Sequence, residues 1–435
     1  MRRLALACLL LVAGCDRVPI DPEGTSLLVT SPDLGVVQLD SDFRLRLVPE
    51  GTTGPLTVRI EGTDIPFDST AAAFIFERKL VQGVNSFELT VTGGTGTVQT
   101  DTLYAFYLPL QALPLVEANA GVARLDAAVT SLPTGQAIIS GGRSASGSAL
   151  PSADVLQSQP SRVVATTVPL RQARAGHTAT LVEGGSLLLG GTNAAASAGP
   201  AAFVRSPEWI SPSGETRNVE ILGGADGPAR TGHVARAVTF EGTTYLYLFG
   251  GQSPAGSGAA ATSTFDIYRV EGSGGFTFRL EHLSPPGGVS GFVSLPDAAL
   301  ASTGPETAAV FGLGDDASST FTVRWSAPGT PTSPFSVDVQ PGTALRTPRS
   351  AAAAVGLGGG LSLILGGRDA DGDLVPTLEI YAASVDRAFR FPPELQLRVP
   401  RSDHIATIFG TNRIVVAGGR PTTGSAITAY EAFQF

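Results

Sequence analysis

The segment Leu363-Ile364-Leu365-Gly366-Gly367 is a short apolar run that ends in two glycines, and four further segments of the chain repeat this pattern. Together with a degraded copy at 310–314, successive copies lie 49, 60, 62, 54 and 52 residues apart at the first glycine. Self-similarity at such a period indicates a repeat architecture built from one supersecondary unit. The paired glycines are Gly141, Gly142, Gly190, Gly191, Gly250, Gly251, Gly366, Gly367, Gly418 and Gly419.

The composition is typical of many short strands joined by turns. The 435 residues include 53 glycines and 31 prolines, and 43% are hydrophobic while only 15% are charged. Long helix-periodic stretches are missing, which predicts an all-β chain. The net charge is −9 and Lys79 is the sole lysine. Because no basic stripe with interleaved aromatic residues occurs, the sequence argues against nucleic-acid binding.

Residues 1–14 have the features of a lipoprotein signal peptide. A basic start precedes an apolar run at 4–12 that is too short to span a bilayer. The segment Leu11-Val12-Ala13-Gly14-Cys15 resembles the bacterial lipobox, which implies acylation of Cys15 and a lipid-anchored tether over 15–25. The alternative is an ordinary secretory leader with a chance cysteine. Since Cys8 is the only other cysteine, a processed chain has no disulfide and no thiolate metal site.

Residues 26–108 lack the Gly-Gly repeat and alternate apolar and polar residues instead. The clearest examples are 43–48, 56–60 and 85–92, and such alternation predicts half-buried strands. About seven strands in this length suit a β-sandwich. The segment resembles bacterial Ig-like domains, although it lacks the Cys-Trp-Cys pattern of antibody domains, so the resemblance is one of architecture.

A second landmark precedes the glycine pairs and repeats in phase with them. It reads Arg174-Ala175-Gly176-His177, Arg230-Thr231-Gly232-His233 and Arg401-Ser402-Asp403-His404, with weaker copies at 124–127 and 349–352 and a poor one at 289–292. A third element, similar to Glu-x-Tyr, follows at 265–268 and 378–381 and more weakly at 153–156 and 219–222.

The order of these three elements resembles the kelch repeat. The resemblance implies a six-bladed kelch-like β-propeller over 109–435, preceded by the Ig-like β-sandwich. Because the last copy ends just after its third strand, its fourth strand has to come from elsewhere. We expect 110–116 to pair beside 426–433 and close the ring.

Two repeated residue types are candidates for chemistry. The histidines His177, His233 and His404 could form a metal cluster, but the same position in three blades favours a structural hydrogen-bonding role. The repeated arginines could bind an anion at one channel mouth, or they could tether neighbouring strands, which is the interpretation we favour. These arginines are Arg124, Arg174, Arg230, Arg349 and Arg401.

The loop at 369–373 is a candidate calcium site. Asp369, Asp371 and Asp373 alternate around a glycine, and oxygen-rich turns suit calcium. The spacing departs from the EF-hand loop, so a solvated turn is the default expectation. Apart from this candidate calcium site no cofactor is predicted, and no nucleophile motif or P-loop occurs.

The sequence predicts an exported, lipid-anchored protein of the cell envelope, facing the periplasm or the exterior. Its propeller would act as a binding scaffold for an envelope or surface protein or a glycan, without enzymatic activity. One alternative is a propeller enzyme that acts on a sugar, of isomerase or mutarotase type, and another is a purely structural envelope component. An enzyme should have a pocket with convergent carboxylate, His and Arg side chains. The ligand, the binding face, the membrane and the oligomeric state are not determined by the sequence.

Overall fold

A computed structural model describes most of the chain, and two compact units divide it. The described residues are 17–19, 26–50, 56–93, 96–114, 123–159, 162–195, 198–224, 226–272, 278–283, 297–312, 320–326, 336–422, 427 and 430–435. Cys15 lies outside them. The first unit comprises Met1–Leu110 and Phe389–Pro392, and the second comprises Gln111–Ala388 and Pro393–Phe435. Within the described residues, the structure contains no apolar helix of membrane-spanning length.

The first unit is a sandwich of two antiparallel sheets, with strand orders β1-β2-β3-β7-β6 and β5-β4-β8-β9. Its core is formed where the inward residues of the two sheets meet, as in the stacked rings of Phe43 and Phe87, whose centroids are 5.5 Å apart. The strands are β1 (Arg17–Pro19), β2 (Ser26–Ser31), β3 (Asp42–Glu50), β4 (Thr57–Ile60), β5 (Thr63–Ile65), β6 (Phe67–Asp68), β7 (Ala73–Lys79), β8 (Gly83–Thr92) and β9 (Val98–Tyr107).

The second unit contains six four-stranded sheets, which are the blades of a propeller. Its strands are β10 (Gln111–Ala112), β11 (Ala128–Ser131), β12 (Ala137–Ser140), β13 (Ser152–Gln159), β14 (Arg162–Pro169), β15 (Thr178–Val182), β16 (Gly185–Leu189), β17 (Glu208–Ile210), β18 (Thr216–Asn218), β19 (Val234–Phe240), β20 (Thr243–Phe249), β21 (Gln252–Ala255), β22 (Gly258–Ala261), β23 (Phe265–Glu271), β24 (Arg279–Leu283), β25 (Ala299–Gly304), β26 (Thr307–Phe311), β27 (Thr320–Ser326), β28 (Ser336–Pro341), β29 (Ala353–Gly358), β30 (Leu361–Leu365), β31 (Glu379–Ala382), β32 (Arg387–Arg390), β33 (Ser402–Phe409), β34 (Arg413–Arg420) and β35 (Glu431–Gln434). Short 3-10 turns lie at Pro200–Ala202 and Leu222–Gly224.

The blades follow one another in chain order and form a closed ring. Blade 1 is β11-β12-β13-β14, blade 2 is β15-β16-β17-β18, and blade 3 is β19-β20-β23-β24; blade 4 is β25-β26-β27-β28, and blade 5 is β29-β30-β31-β32. Blade 6 has the order β10-β35-β34-β33. The first strands contact each other cyclically, from β11 through β15, β19, β25, β29 and β33 back to β11. The predicted six-bladed propeller is therefore confirmed.

The ring is closed by a strand that precedes the first blade, as expected. Gln111 pairs with Gln434 and Ala112 pairs with Phe433. The backbone amide of Leu113 extends this pairing by donating to the Ala432 carbonyl at 2.8 Å. The first and last parts of the propeller chain thus share one sheet, so fraying of either end has to break blade 6.

A second set of contacts between blades is a closed cycle of six backbone hydrogen bonds, which we call the axial ring. One residue in each blade donates its amide to the carbonyl of the equivalent residue in the preceding blade, at 2.8–3.2 Å. All six have a positive φ between 50° and 65°, a region that favours Gly and, among other residues, Asp or Asn. The six residues are Asp126, Gly176, Gly232, Asp297, Ala351 and Asp403.

The Gly-Gly pairs make the next contact between blades. A Cβ on Gly190 would lie 2.5 Å from the Arg230 carbonyl oxygen and 2.8 Å from Cε1 of His233, both in the following blade. The amide of the second glycine, Gly191, donates to that same carbonyl at 2.7 Å. The glycines and the Arg-His landmark therefore repeat in phase because they are the two sides of one blade interface.

Gly190→Ala should destabilise the propeller more than Gly184→Ala. Both glycines have a positive φ, but a Cβ on Gly184 would meet nothing within 4 Å, so the pair separates crowding from backbone strain. The excess loss for Gly190→Ala should be roughly 1–3 kcal/mol, measured by urea unfolding. Equal losses for the two variants would show that the close approach of the next blade does not matter.

Candidate functional site

The five repeated arginines are buried inside the blades and form ion pairs there. Each guanidinium donates to the carbonyl of the first glycine of its own blade, as Arg124 does to Gly141 at 2.7 Å and Arg401 does to Gly418 at 2.9 Å. Each also pairs with a carboxylate on the third strand. The pairs are Arg124–Asp154, Arg174–Glu208, Arg230–Asp266, Arg349–Glu379 and Arg401–Glu431. Because these donors are used inside the fold, the geometry favours the structural role over anion binding.

Two of the weak copies in the sequence align differently in the structure. The third strand of blade 2 is β17, where Glu208 pairs with Leu188 in the sheet, so the prediction of this element at 219–222 is wrong. Glu220 forms an exposed ion pair with Arg279 instead. In blade 4 the axial-ring residue is Asp297, so the repeat start expected at 289–292, which lies outside the described residues, is misplaced.

Blade 4 shows that the carboxylate of the buried ion pair can be replaced. The position of the carboxylate, opposite the second strand, is taken in this blade by the buried Phe321, which pairs with Val310. A buried ion pair and a well-packed apolar pair of similar volume are often close in stability, whereas one partner left alone is costly.

Arg349→Met should therefore destabilise the protein by about 3–5 kcal/mol, because it leaves the fully buried Glu379 without its cation. Adding Glu379→Leu to the same chain should recover part of the loss, because it removes the unpaired charge but also the acceptor of the Arg346 and Thr347 amides. Thermal or urea unfolding of the two single variants and the double variant measures this coupling. Additive losses in the double variant would contradict a paired role.

The three repeated histidines occupy three different blade interfaces and do not form a metal cluster. His177 Nε2 hydrogen-bonds to Ser140 Oγ of the preceding blade at 2.8 Å, and His233 Nε2 to Thr178 Oγ1 at 3.1 Å. Burial, reinforced by a neighbouring arginine, lowers the pKa of His233 and of His404 to about 3. These imidazoles are thus neutral at physiological pH. Among the described residues, no group of three or more His, Cys, Asp or Glu side chains could hold a metal ion.

The loop at 369–373 is fully described, and its carboxylates do not belong to any group of three or more among the described residues that could hold a metal ion. Asp369 Oδ1 accepts hydrogen bonds from the amides of Asp371 and Asp373 at 3.1 and 2.9 Å. Asp369 therefore stabilises the turn itself, in agreement with the solvated turn that is the default expectation, and its geometry does not support the candidate calcium site.

A polar cavity of about 470 Å³ lies at one mouth of the axial channel, and we call its lining the mouth site. Its volume falls in the range of about 300–1,000 Å³ that is usual for small-molecule sites. All six axial-ring residues line it, together with Arg143, Thr192, Gln252 and Arg420, each of which directly follows a Gly-Gly pair. A second cavity of about 660 Å³, farther along the channel, is lined mostly by apolar residues such as Val129 and Leu300.

The carboxylates of the mouth site lie on one arc of the ring. Asp297, Asp403 and Asp126 belong to blades 4, 6 and 1, whereas blades 2 and 3 carry glycines at the same position. The side chain of Asp297 lies over Gly232 of the preceding blade, where a Cβ would be 2.6 Å from Asp297 Oδ1. Asp403 Oδ2 accepts a hydrogen bond from Ser402 Oγ at 2.8 Å.

Asp297 and Asp126, which lie on either side of Asp403 in the axial ring, have different electrostatic surroundings. Asp297 is exposed to the cavity, but the surrounding protein still desolvates its carboxyl, and this desolvation, followed by the charges of Asp403 and Asp126, raises its pKa to about 6. Burial and Asp403 also raise the pKa of Asp126, but the positive charges of Arg143 and Arg420 act in the opposite direction. The mouth site therefore combines an acid that titrates near pH 6 with a carboxylate that faces two cations.

Sequence reasoning missed this site. It recorded the residue two positions after each arginine only as part of the repeated landmark, and it did not consider the residue after each Gly-Gly pair. The sequence did contain a signal for this site. The residue types at both positions differ from blade to blade, whereas the residues beside them repeat. Such positions can carry chemistry because the repeated neighbours already fix the backbone.

Asp297→Asn should stabilise the protein at pH 7 by about 1 kcal/mol, after allowance for solvent screening. The pKa of the Asp297 carboxyl is about 4 in the unfolded chain and about 6 in the folded protein. Below about pH 4 the carboxyl is protonated in both states and costs the folded protein nothing. As pH rises from about 4 to about 6, the unfolded chain ionises more readily, so the wild-type protein loses stability. The difference from the wild type should therefore vanish below about pH 4. Urea midpoints from pH 3 to 8 measure it, with the exposed Asp371→Asn as control; parallel curves would contradict the raised pKa.

Comparison with known proteins identifies the fold and no more. No known family and no curated protein matches the chain in sequence. Among solved structures, 224 chains are similar. One of them is the structure of YjhT, a kelch-type propeller that is 12% identical, with a TM-score of 0.50 over 73% of this chain and 95% of that one. The chain thus has the kelch-type propeller fold.

Proposed function

We propose that the protein acts on a sugar at the mouth site, as an enzyme of isomerase or mutarotase type. The observation that carries the proposal is the convergence of Asp126, Asp297 and Asp403 with two arginines in one polar cavity. This is the arrangement expected of the catalytic alternative rather than of the binding scaffold that the sequence favours. Carboxylates and amides that surround a cavity are suited to the many hydroxyl groups of a sugar.

The chemistry needs only one proton donor and one proton acceptor. In a cyclic reducing sugar, the acceptor removes the proton of the anomeric hydroxyl while the donor protonates the ring oxygen. The bond between the anomeric carbon and the ring oxygen then breaks, and a carbonyl forms. Rotation and the reverse step close the ring on the other face and return both protons. Two carboxyl groups whose environments differ can divide these roles.

Asp297 is suited to be the donor, because its pKa of about 6 keeps a substantial protonated fraction in mildly acidic solution. Asp126 is suited to be the acceptor, since Arg143 and Arg420 oppose the rise of its pKa that burial and Asp403 cause, whereas no cation acts in this way on Asp297 among the described residues. The rate should therefore fall as pH rises through about 6 and the donor loses its proton.

Asp297→Asn should lower the catalysed rate by about 10²–10⁴-fold, because an amide cannot donate the proton. NMR exchange spectroscopy on a panel of reducing monosaccharides measures anomer interconversion, and Asp371→Asn is the control with an exposed carboxylate. A wild-type protein that accelerates no sugar in the panel would contradict the proposal. Glycan binding without turnover would favour the scaffold function instead.

We also propose that the protein is exported and anchored by lipid on Cys15, with the first unit as a spacer of Ig-like type. The leader pattern at 1–15 supports the anchor. The strand orders of the two sheets support the spacer, because β2-β3-β7-β6 and β5-β4-β8-β9 correspond to the ABED and C′CFG sheets of Ig folds. Mass spectrometry of the mature N-terminus in the native host tests the anchor, and Cys15→Ala should release the protein from the membrane fraction.

A further inference from the structure

We infer that Arg143 is a positioning residue that places a fixed positive charge beside Asp126, so that Asp126 serves as the proton acceptor of the mouth site. The inference rests on the proposed function. It goes further by assigning distinct roles to carboxylates that occupy the same repeated position, and by naming the side chain that separates them.

The guanidinium of Arg143 is fixed on several sides. Its Nη1 donates to the Gly147 carbonyl at 3.2 Å, and its Nη2 donates to Thr192 Oγ1 at 2.7 Å and to the Ala194 carbonyl at 3.0 Å. Thr192 is fully buried and belongs to blade 2, so the guanidinium is held between two blades. The third nitrogen of the guanidinium, Nε, lies 3.6 Å from Asp126 Oδ2. An arginine held in this way presents a fixed positive charge to the carboxylate.

Blade 5 shows that pairing with a carboxylate is not needed for the fold at this position. Arg368 also follows a Gly-Gly pair, and its Nη1 donates to the Gly372 carbonyl at 2.9 Å, as Arg143 does to Gly147. The backbone pairing of Arg368 with Ser350 likewise matches that of Arg143 with Leu125. The axial-ring residue of blade 5 is Ala351, however, and offers no carboxylate. The contact with Asp126 is therefore a feature of blade 1 added to a common loop structure.

The charges around the site are unevenly distributed. Asp126 faces Asp403 and Arg420 from blade 6, Arg143 from its own blade, and Asp297 across the cavity. The buried histidines of the lining are neutral, since burial lowers the pKa of each. For Asp297, the described residues provide two neighbouring carboxylates and no cation that lowers its pKa. The cations thus partly offset the raised pKa of Asp126, whereas no cation among the described residues offsets that of Asp297, which is the better proton donor.

The test compares Arg143→Gln with Arg143→Lys and with the matched control Arg368→Gln. Carbon-13 NMR titration of the aspartate carboxyls reports ionisation without any sugar, and the pH profile of kcat/KM for anomer interconversion reports the acceptor. In Arg143→Gln we expect the pKa of Asp126 to rise by about one unit, and the rate at low pH to fall about tenfold while the rate at high pH stays near that of the wild type. Arg143→Lys should restore most of the rate, and Arg368→Gln should change neither measurement.

An unchanged Asp126 titration in Arg143→Gln, or an equal loss of rate at every pH, would overturn the positioning role while leaving a sugar-active wild type intact. If the wild type accelerates no sugar, the proposed function fails and the acceptor role fails with it. Urea midpoints check that Arg143→Gln is folded. Should that variant unfold, Thr192→Val removes one of the hydrogen bonds that orient the guanidinium and should shift the Asp126 titration in the same direction.

Discussion

The axial ring is the constraint on which the rest of the propeller depends. Six backbone amides, one from each blade, donate in turn to six backbone carbonyls and return to the first. The cycle fixes the height and rotation of every blade relative to its neighbours without using a single side chain. It also requires a left-handed backbone at each position, which restricts the residues that fit to glycine, aspartate and, in blade 5, alanine. The side chains at these positions then line the channel mouth and are free to differ.

Two sets of arginines have separate tasks as a result. Those of the repeated landmark, such as Arg349, are buried with a carboxylate and hold the strands of one blade together. Two of those that follow the Gly-Gly pairs, Arg143 and Arg420, lie at the cavity, and both charges act on the carboxylate of Asp126. In blade 4 the buried Phe321 fills the position that the carboxylate takes in the other blades. The structural cations are repetitive, whereas the cations of the mouth site are not.

Much of the architecture was predictable because it depends on local, repeated patterns. Apolar runs that end in Gly-Gly, and the Arg-His landmark in phase with them, predict the blade and its interface. The absence of a last strand predicts that residues before blade 1 close the ring, which Gln111 and Ala112 do. The weak copies were less predictable. The Val-Glu-Ile-Leu segment at 219–222 has the sequence pattern of a third strand, but Glu208 occupies the carboxylate position on the third strand of blade 2.

The sequence by itself determined the repeat, the number of blades and the closure, because each follows from spacing and from the strand that the last repeat lacks. It did not reveal the mouth site, whose residues are separated by up to about three hundred positions along the chain. Only the closed ring brings Asp126, Asp297 and Asp403 to one arc, and only burial and neighbouring charges make their ionisation differ. Proximity across a ring and the local field are properties of the folded chain, and no linear pattern contains them.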